Sequence, residues 1–211
     1  MKERDAFRGS EASRRAFLIA AAGAPFVLPS SQMDLDRFVA DCVAANRGPE
    51  AQAAVLEVLA RTVREPERVC AALGDPTEAG IRVLHRSKTL TIFAATWTPN
   101  MTLMPHEHRM WAAIGIYTGR EDNILWKRTP AKVEAFGAKA LFAGDVAALS
   151  ADAIHSVTNP LPRFTGGIHA YGGDFFATAR CQWNPETLTE ERSDGDTIQE
   201  IFRKENERLR R

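Results

Sequence analysis

The segment MPHEHRMW (residues 104–111) contains two of the five histidines of this 211-residue chain. His106 and His108 are one residue apart, and side chains at positions i and i+2 of an extended strand point to the same face. Both imidazole rings can therefore converge on one point, while Glu107 between them should face the opposite side. The pair alone is weak evidence for a metal site, because two histidines on a strand can simply be hydrogen-bonded within a polar face.

A second segment, GDVAALSADAIHSVTN (residues 144–159), adds a third histidine in an ordered context. A glycine turn and an apolar strand are followed by a short polar turn, then by His155 and, four residues later, by Asn159. Around these two segments, from about residue 81 to residue 183, short runs rich in β-branched and aromatic residues alternate with Gly, Pro, Asn and Asp. This spacing predicts a mainly β domain of the sandwich or barrel type.

Both ends of the chain show helical periodicity instead. Apolar side chains recur at helical spacing from residue 34 to about residue 46, and a second stripe follows the proline at position 49. The charged segment 197–211 carries a third stripe. We therefore divide the chain into an N-terminal helical segment (33–78), a β barrel (79–184), and a surface crossing with a C-terminal helix (185–211).

The first 32 residues have a pattern that differs from that of the predicted helices and strands. Arg14 and Arg15 precede an apolar stretch of about 12 residues, which is too short for a membrane span and suits the apolar region of a signal peptide. The segment resembles a twin-arginine export signal, which would make the protein periplasmic. Alternatively, the folded protein begins near Met33, residues 1–32 are an upstream extension, and the protein is cytoplasmic. We expect no membrane span.

Composition excludes some partners. The chain has 27 Lys and Arg against 27 Asp and Glu, so its formal charge is zero and no global field attracts nucleic acid. The three cysteines are far apart in sequence, which argues against a disulfide framework and favours buried free thiols.

The order of these motifs resembles the two signature motifs of the cupin superfamily over about residues 80–183, with Gly119 where the first motif closes. The resemblance implies a double-stranded β-helix in which His106, His108 and His155 bind one metal ion at the barrel mouth. Two departures stand out. Ser150, Ala151 and Asp152 replace the usual Pro-x-Gly, and Ala112 and Ala113 occupy the window in which cupins usually supply a glutamate ligand.

A three-histidine ferrous site without that glutamate is typical of the thiol dioxygenases, and GGIHAYGGDFFATAR (residues 166–180) is similar to a further segment of that family. These enzymes carry a Ser-x-His-x-Tyr network beside the iron. His169 and Tyr171 stand at the histidine and tyrosine positions, whereas Gly167 stands in place of the serine. Loss of that hydroxyl would shorten the network or leave water to complete it.

The resemblance also implies a substrate-binding arginine. Arg180 stands where 3-mercaptopropionate dioxygenases place the arginine that pairs with the substrate carboxylate, a role that suits a bidentate guanidinium. Cysteine dioxygenases place it upstream of the first motif, where Arg82 or Arg86 would be equivalents, but we favour Arg180. Ala113 stands at the position of the cysteine that mammalian-type enzymes crosslink to their tyrosine, so no crosslink can form.

The implied function is an Fe(2+)-dependent dioxygenase that adds O₂ to the sulfur of a small carboxylate-bearing thiol, giving a sulfinate. Two alternatives stay open: a cupin metalloenzyme of another reaction type, and a non-catalytic cupin that binds a metal or small ligand. Each residue also has an ordinary interpretation. His169 could be a core histidine and Arg180 half of a surface ion pair, while Phe175 and Phe176 are expected in the core.

Overall fold

The computed structural model describes residues 32–193 and 195–211, so nearly all of the expected leader lies outside the described residues. The helices are α1 (Leu35–Ala45), α2 (Ala51–Val63), α3 (Pro66–Leu73) and α4 (Gly195–Leu209). The strands are β1 (Gly80–Arg86), β2 (Thr91–Trp97), β3 (Thr102–Glu107), β4 (Ala112–Thr118), β5 (Arg120–Arg128), β6 (Val133–Phe142), β7 (Val146–Leu149), β8 (Ile154–Thr158), β9 (Thr165–Tyr171), β10 (Cys181–Trp183) and β11 (Glu190–Arg192). In the described part of the chain, every helix is too short or too polar to span a membrane.

The strands form two antiparallel sheets. One sheet has the order β1-β2-β9-β4-β7 and the other the order β11-β10-β3-β8-β5-β6. Late strands are inserted between early ones, since β9 lies between β2 and β4 while β8 lies between β3 and β5. The chain therefore winds as a double-stranded β-helix, and the predicted mainly β fold of the cupin type is confirmed.

The five-stranded sheet is buried on both faces, because the N-terminal helices cover its outer side. On β9, Ile168 and Ala170 pack against the helices, whereas Tyr171 packs in the barrel core. On β2, Ile92 and Phe93 divide in the same way. This explains the continuous apolar runs in these strands, and it directs alternate side chains of β9 into the barrel.

The helices agree with the sequence periodicity, with one addition. Asp34 caps α1, because its side chain accepts a hydrogen bond of 3.0 Å from the backbone N–H of Arg37. The sequence did not predict α3, which begins at Pro66 in the position that proline prefers in a helix.

The short β11 extends the sheet beyond residue 184. All three cysteines are free, but only Cys42 is buried, so the burial expected of the other two is wrong.

Gly119 makes the turn between β4 and β5. Its φ is +78°, and a Cβ atom at this position would lie 2.1 Å from the Oγ1 atom of Thr165. Both conditions require glycine. The turn starts β5, and Asn123 on this strand contacts His155.

Helix α4 lies across the barrel mouth. Phe202 packs against Trp97 with 5.8 Å between ring centroids. The side chain of Asn206 accepts a hydrogen bond from the backbone N–H of Ala79 (2.7 Å) and donates one to its carbonyl (3.0 Å). The Oγ1 atom of Thr98 donates to Glu205 over 2.8 Å. Side chains of α4 therefore close one side of the barrel interior.

Candidate metal centre

The three predicted metal ligands come together. His106 on β3 lies directly opposite His155 on β8, and His108 follows β3 immediately rather than lying within it. Their ring centroids are 4.5 to 5.1 Å apart. All three are buried, and one nitrogen from each lies within 4.8 Å of the others. We call these three residues the histidine cluster.

Neighbouring oxygens determine which nitrogen of two rings carries the proton. The Nδ1 atom of His106 lies 2.9 Å from the carbonyl of Met104, and that of His155 lies 2.6 Å from Oδ1 of Asn123. Both oxygens can only accept, so each Nδ1 donates and each Nε2 keeps its lone pair free for a metal. The Nε2 atoms of His155 and His108 face each other at 3.2 Å.

Burial keeps the cluster neutral. Burial lowers the pKa of His106 to about 4, and it lowers the pKa values of His108 and His155 well below their usual range. Repulsion between the rings adds to this effect for His108 and His155. Neutral imidazoles with converging lone pairs are the form that binds a divalent metal ion. Among residues 32–193 and 195–211, no carboxylate joins the group.

A buried polar network behind the cluster was not predicted from the sequence. Glu121, on β5, is fully buried and accepts hydrogen bonds from Nε1 of Trp97 (2.9 Å) and Nδ2 of Asn123 (3.1 Å). Because a carboxylate only accepts, Nδ2 of Asn123 must face it, which leaves Oδ1 of Asn123 for His155. Glu121 thus orients a candidate metal ligand, His155, through Asn123.

The same carboxylate reaches His169. Its Oε2 atom lies 3.4 Å from Nε2 of His169, a contact longer than a good hydrogen bond, and that nitrogen has no hydrogen-bond partner among the described residues. Burial alone would raise the pKa of Glu121, but contacts with His169, Asn123 and Trp97 outweigh burial and lower the pKa. The ionised carboxylate favours a proton on Nε2 of His169.

Tyr171 completes the buried polar network, which comprises Glu121, Asn123, His169 and Tyr171. Its hydroxyl lies 3.3 Å from Nδ1 of His169. Burial, and then the nearby charge of Glu121, raise the pKa of Tyr171 far above its usual value. The hydroxyl therefore stays protonated and donates to Nδ1 when Nε2 carries the proton of the ring.

Glu121 approaches the nitrogen of His169 that the missing serine would contact. A Cβ atom added to Gly167 would lie 3.1 Å from Nε2 of His169, so a serine there would be positioned to contact the nitrogen that Glu121 now faces. A carboxylate from β5 stands where the family resemblance implies a hydroxyl from β9. Because the contact between Glu121 and His169 is longer than a good hydrogen bond and Nε2 of His169 has no hydrogen-bond partner among the described residues, the expectation that loss of the serine shortens the network or leaves it to water stays a prediction.

Arg180 precedes β10, and β10 pairs with β3 beside His106. Its guanidinium lies 3.9 Å from the ring centroid of Phe175 and donates to the carbonyls of Phe175 and Thr178. Burial lowers its pKa, but an arginine remains charged. In the described part of the chain Arg180 forms no ion pair with a carboxylate. By contrast, Arg86 pairs with Asp174 at 2.9 Å.

These residues share a cavity of about 590 Å³. One side, the histidine wall, is lined by His106, His155, His169 and Tyr171, with Arg180 nearby. The opposite side, the helix wall, is lined by Ile198, Phe202 and other α4 residues. The remaining lining is mostly apolar and includes Phe93, Trp97, Leu103, Val157 and Phe175.

Among the other residues discussed from the sequence, Glu107 lies outside the cavity, whereas Phe175 and Phe176 are part of its lining. Glu107 faces away from the cluster, and its buried carboxylate contacts Arg109 (2.5 Å) and Arg128 (3.0 Å). Phe175 is buried as expected, but Phe176 is 42% exposed, so its expected place in the core is wrong. Its ring lies under the guanidinium of Arg86, with 5.1 Å to the centroid.

The signal that would have revealed Glu121 is a reversed alternation on β5. Glu121 and Asn123 are buried, whereas Ile124 is partly exposed. In an ordinary barrel strand the apolar residues face inward, so polar residues at alternate inward positions mark a strand that serves a site.

No family profile matches the chain, and no curated protein matches it. Similar solved structures include a Klebsiella pneumoniae protein with a double-stranded β-helix domain (13% identity, TM-score 0.39, 57% of this chain and 90% of that one). A cupin family protein from Methanocaldococcus jannaschii gives 10% identity and a TM-score of 0.42, covering 48% and 86%. An oxalate decarboxylase from Bacillus subtilis gives 12% identity and a TM-score of 0.39, covering 54% and 29%. These similarities transfer no activity to this chain.

Proposed function

We propose that this protein is a non-haem iron enzyme of the thiol dioxygenase type, which adds both atoms of O₂ to the sulfur of a carboxylate-bearing thiol and releases a sulfinate. The observation that carries the proposal is the histidine cluster: three buried, neutral imidazoles with no carboxylate among the described residues of the group. Three neutral ligands leave the charge of a divalent ion uncompensated, which favours an anionic thiolate as a further ligand.

His106, His108 and His155 would hold the ion. When bound, Fe(2+) would supply open coordination positions and redox chemistry for O₂ and the thiolate. Imidazole also accepts zinc, manganese and nickel, so the identity of the metal belongs to the proposal.

The remaining residues position the substrate and a proton. Arg180 offers two N–H groups to the substrate carboxylate, which would form charge-assisted hydrogen bonds. The ring of Tyr171 lies 4.9 Å from that of His108, centroid to centroid. Its hydroxyl stays protonated and contacts Nδ1 of His169. His169 and Tyr171 are almost fully buried, which keeps bulk water from them.

The decisive experiment combines metal analysis with oxygen uptake. Protein purified without added metal is analysed for iron, and oxygen uptake is then measured with 3-mercaptopropionate, cysteine and cysteamine, with mass spectrometry of the product. We expect bound iron, uptake that depends on thiol, and slow turnover of cysteamine, which has no carboxylate. His155→Ala is the metal-free control.

The other outcomes favour the alternatives. Oxygen uptake without dependence on thiol would indicate a cupin dioxygenase acting on carbon, and a different metal without uptake would indicate a hydrolase or isomerase. Absence of both metal and uptake would indicate a ligand-binding cupin. Each of these results contradicts the proposal.

We also propose export through the twin-arginine pathway, which rests on Arg14, Arg15 and the apolar stretch that follows them. N-terminal sequencing of the native protein tests it. A mature start near residue 33 in a periplasmic fraction supports export, whereas an intact N-terminus in the cytoplasm contradicts it.

A further inference from the structure

The cavity is much larger than the small thiols above require. It encloses about 590 Å³, which is in the range that holds a drug-sized molecule. In contrast, 3-mercaptopropionate has only six non-hydrogen atoms, and a water molecule in liquid occupies about 30 Å³. Such a thiol would leave most of the cavity to water or to voids, and neither is favourable beside apolar walls.

The charged side chains around the cavity favour a negatively charged ligand. Among the described residues that line the cavity, two are arginines and none is acidic. Arg203 is already paired, with Glu200 and with Glu207, and its side chain is 54% exposed. Arg180 is half-buried and lacks a carboxylate partner among the described residues. Arg180 already donates to the carbonyls of Phe175 and Thr178, and a ligand carboxylate would add the counter-ion that this half-buried cation lacks, together with charge-assisted hydrogen bonds.

The rest of the cavity lining favours a ligand that is largely apolar apart from its charged end. Trp97 contacts both sides of the cavity, with centroid distances of 6.2 Å to His169 and 5.8 Å to Phe202. Between these contacts the lining consists largely of the aromatic and aliphatic side chains named above. A hydrophilic substituent would lose its hydration there without gaining hydrogen bonds.

We infer that the ligand of this cavity is a carboxylate with a sizeable apolar body, held by Arg180 at its charged end and by the helix wall, chiefly Ile198 and Phe202, along its apolar part. As a statement about the substrate, this inference rests on the proposed function, and it replaces a compact thiol by an apolar mercapto acid. As a statement about binding, it can be tested without metal or thiol.

The test measures binding of straight-chain alkanoates to metal-free protein by isothermal titration calorimetry. Propanoate, hexanoate, octanoate and decanoate all carry the carboxylate but lack sulfur. We expect one binding site and a Kd that falls about fourfold per added methylene until the cavity is full. Octan-1-ol, which has no charge, should bind at least about tenfold more weakly than octanoate.

Three variants locate the two ends of the ligand. Arg180→Met should weaken octanoate binding about tenfold or more while leaving octan-1-ol binding unchanged, which also shows that the variant is folded. Ile198→Gln should reduce the gain per methylene, whereas Lys204→Gln, on the exposed side of the same helix, should leave the gain unchanged.

Three results would overturn the inference. Propanoate and octanoate could bind within twofold of each other, Arg180→Met could bind octanoate as well as the wild type does, or Lys204→Gln could have the same effect as Ile198→Gln. None of these depends on iron or oxygen uptake. A protein without thiol-dependent oxygen uptake but with the expected alkanoate series would therefore contradict the proposed function and support the inferred ligand class.

Discussion

The histidine wall and the helix wall of the cavity are built in different ways. Polar groups of the histidine wall are held by side chains of β5, where Glu121 and Asn123 connect His155 to His169. The helix wall presents Ile198 and Phe202, and the described hydrogen bonds of α4 to the barrel come from Glu205, Asn206 and other residues in its C-terminal half. The difference is that a network of polar contacts fixes the side chains of one wall, whereas the other wall presents an apolar surface.

The largest effect is expected from removing a metal ligand on the histidine wall. His155→Ala should abolish stoichiometric metal binding, because two imidazoles from one short segment remain. Arg180→Ala should retain the metal and raise the KM for a carboxylate-bearing thiol. Metal content by inductively coupled plasma mass spectrometry and steady-state kinetics measure the two effects, with His85→Ala as the control histidine on β1. Equal metal loss in both variants would show that Arg180 is misassigned.

Acid should destabilise the metal-free protein because the histidine cluster is buried uncharged. The unfolded chain binds a proton at His106 below about pH 6.5, whereas the folded protein does so only below about pH 4. Stability is therefore full above pH 6.5 and falls as the pH drops from 6.5 to 4, by about 3 kcal/mol for His106 alone. Urea unfolding of metal-free protein across this range measures the loss, and a flat profile would contradict it.

A smaller effect tests the support behind the histidine wall. Asn123→Leu keeps a similar volume but removes the oxygen that accepts from His155 and the amide that donates to Glu121. We expect metal affinity to fall about 10- to 100-fold, as for other groups that orient a metal-bound histidine. A competition titration with a chelating dye measures the affinity. Asp122→Asn on the same strand, which pairs with Arg120 away from the cluster, should change it less than twofold.

The smallest effect is expected from restoring the serine of the family pattern. Gly167→Ser places a Cβ atom 3.0 Å from Ile116 and 3.1 Å from His169, so the packing must shift at a cost of about 1 kcal/mol. Turnover should fall less than tenfold, because Glu121 already faces His169. Urea unfolding and oxygen uptake provide the measurements, with Gly137→Ser as the control, where the nearest atom would be 3.8 Å away. A rise in turnover would show that Glu121 is a poor substitute for the hydroxyl.

Local sequence patterns predicted more of the fold than of the candidate site. Periodicity predicted the barrel and helices α1, α2 and α4, because a strand or helix face is a local pattern. The pairing of His106 with His155 followed from the family resemblance rather than from spacing. Glu121 was missed since its partners, Trp97 and His169, are distant in sequence, and GREDN (residues 119–123) has the composition of a turn. The apolar cavity was missed for a related reason, since neither α4 nor the barrel shows alone what they enclose.

A single layer of β-sheet separates the N-terminal helices from the cavity residues His169 and Tyr171. Side chains on the outer face of this sheet can therefore affect the positions of the two cavity residues. Ala170 lies between these two residues in sequence, is fully buried, and packs among the residues of the N-terminal helices. Resizing its small side chain, or its neighbours on the helices, would tilt β9 and so move both polar groups by fractions of an ångström. Substitutions in the N-terminal helices could therefore adjust the positions of His169 and Tyr171 without placing a new group in the cavity.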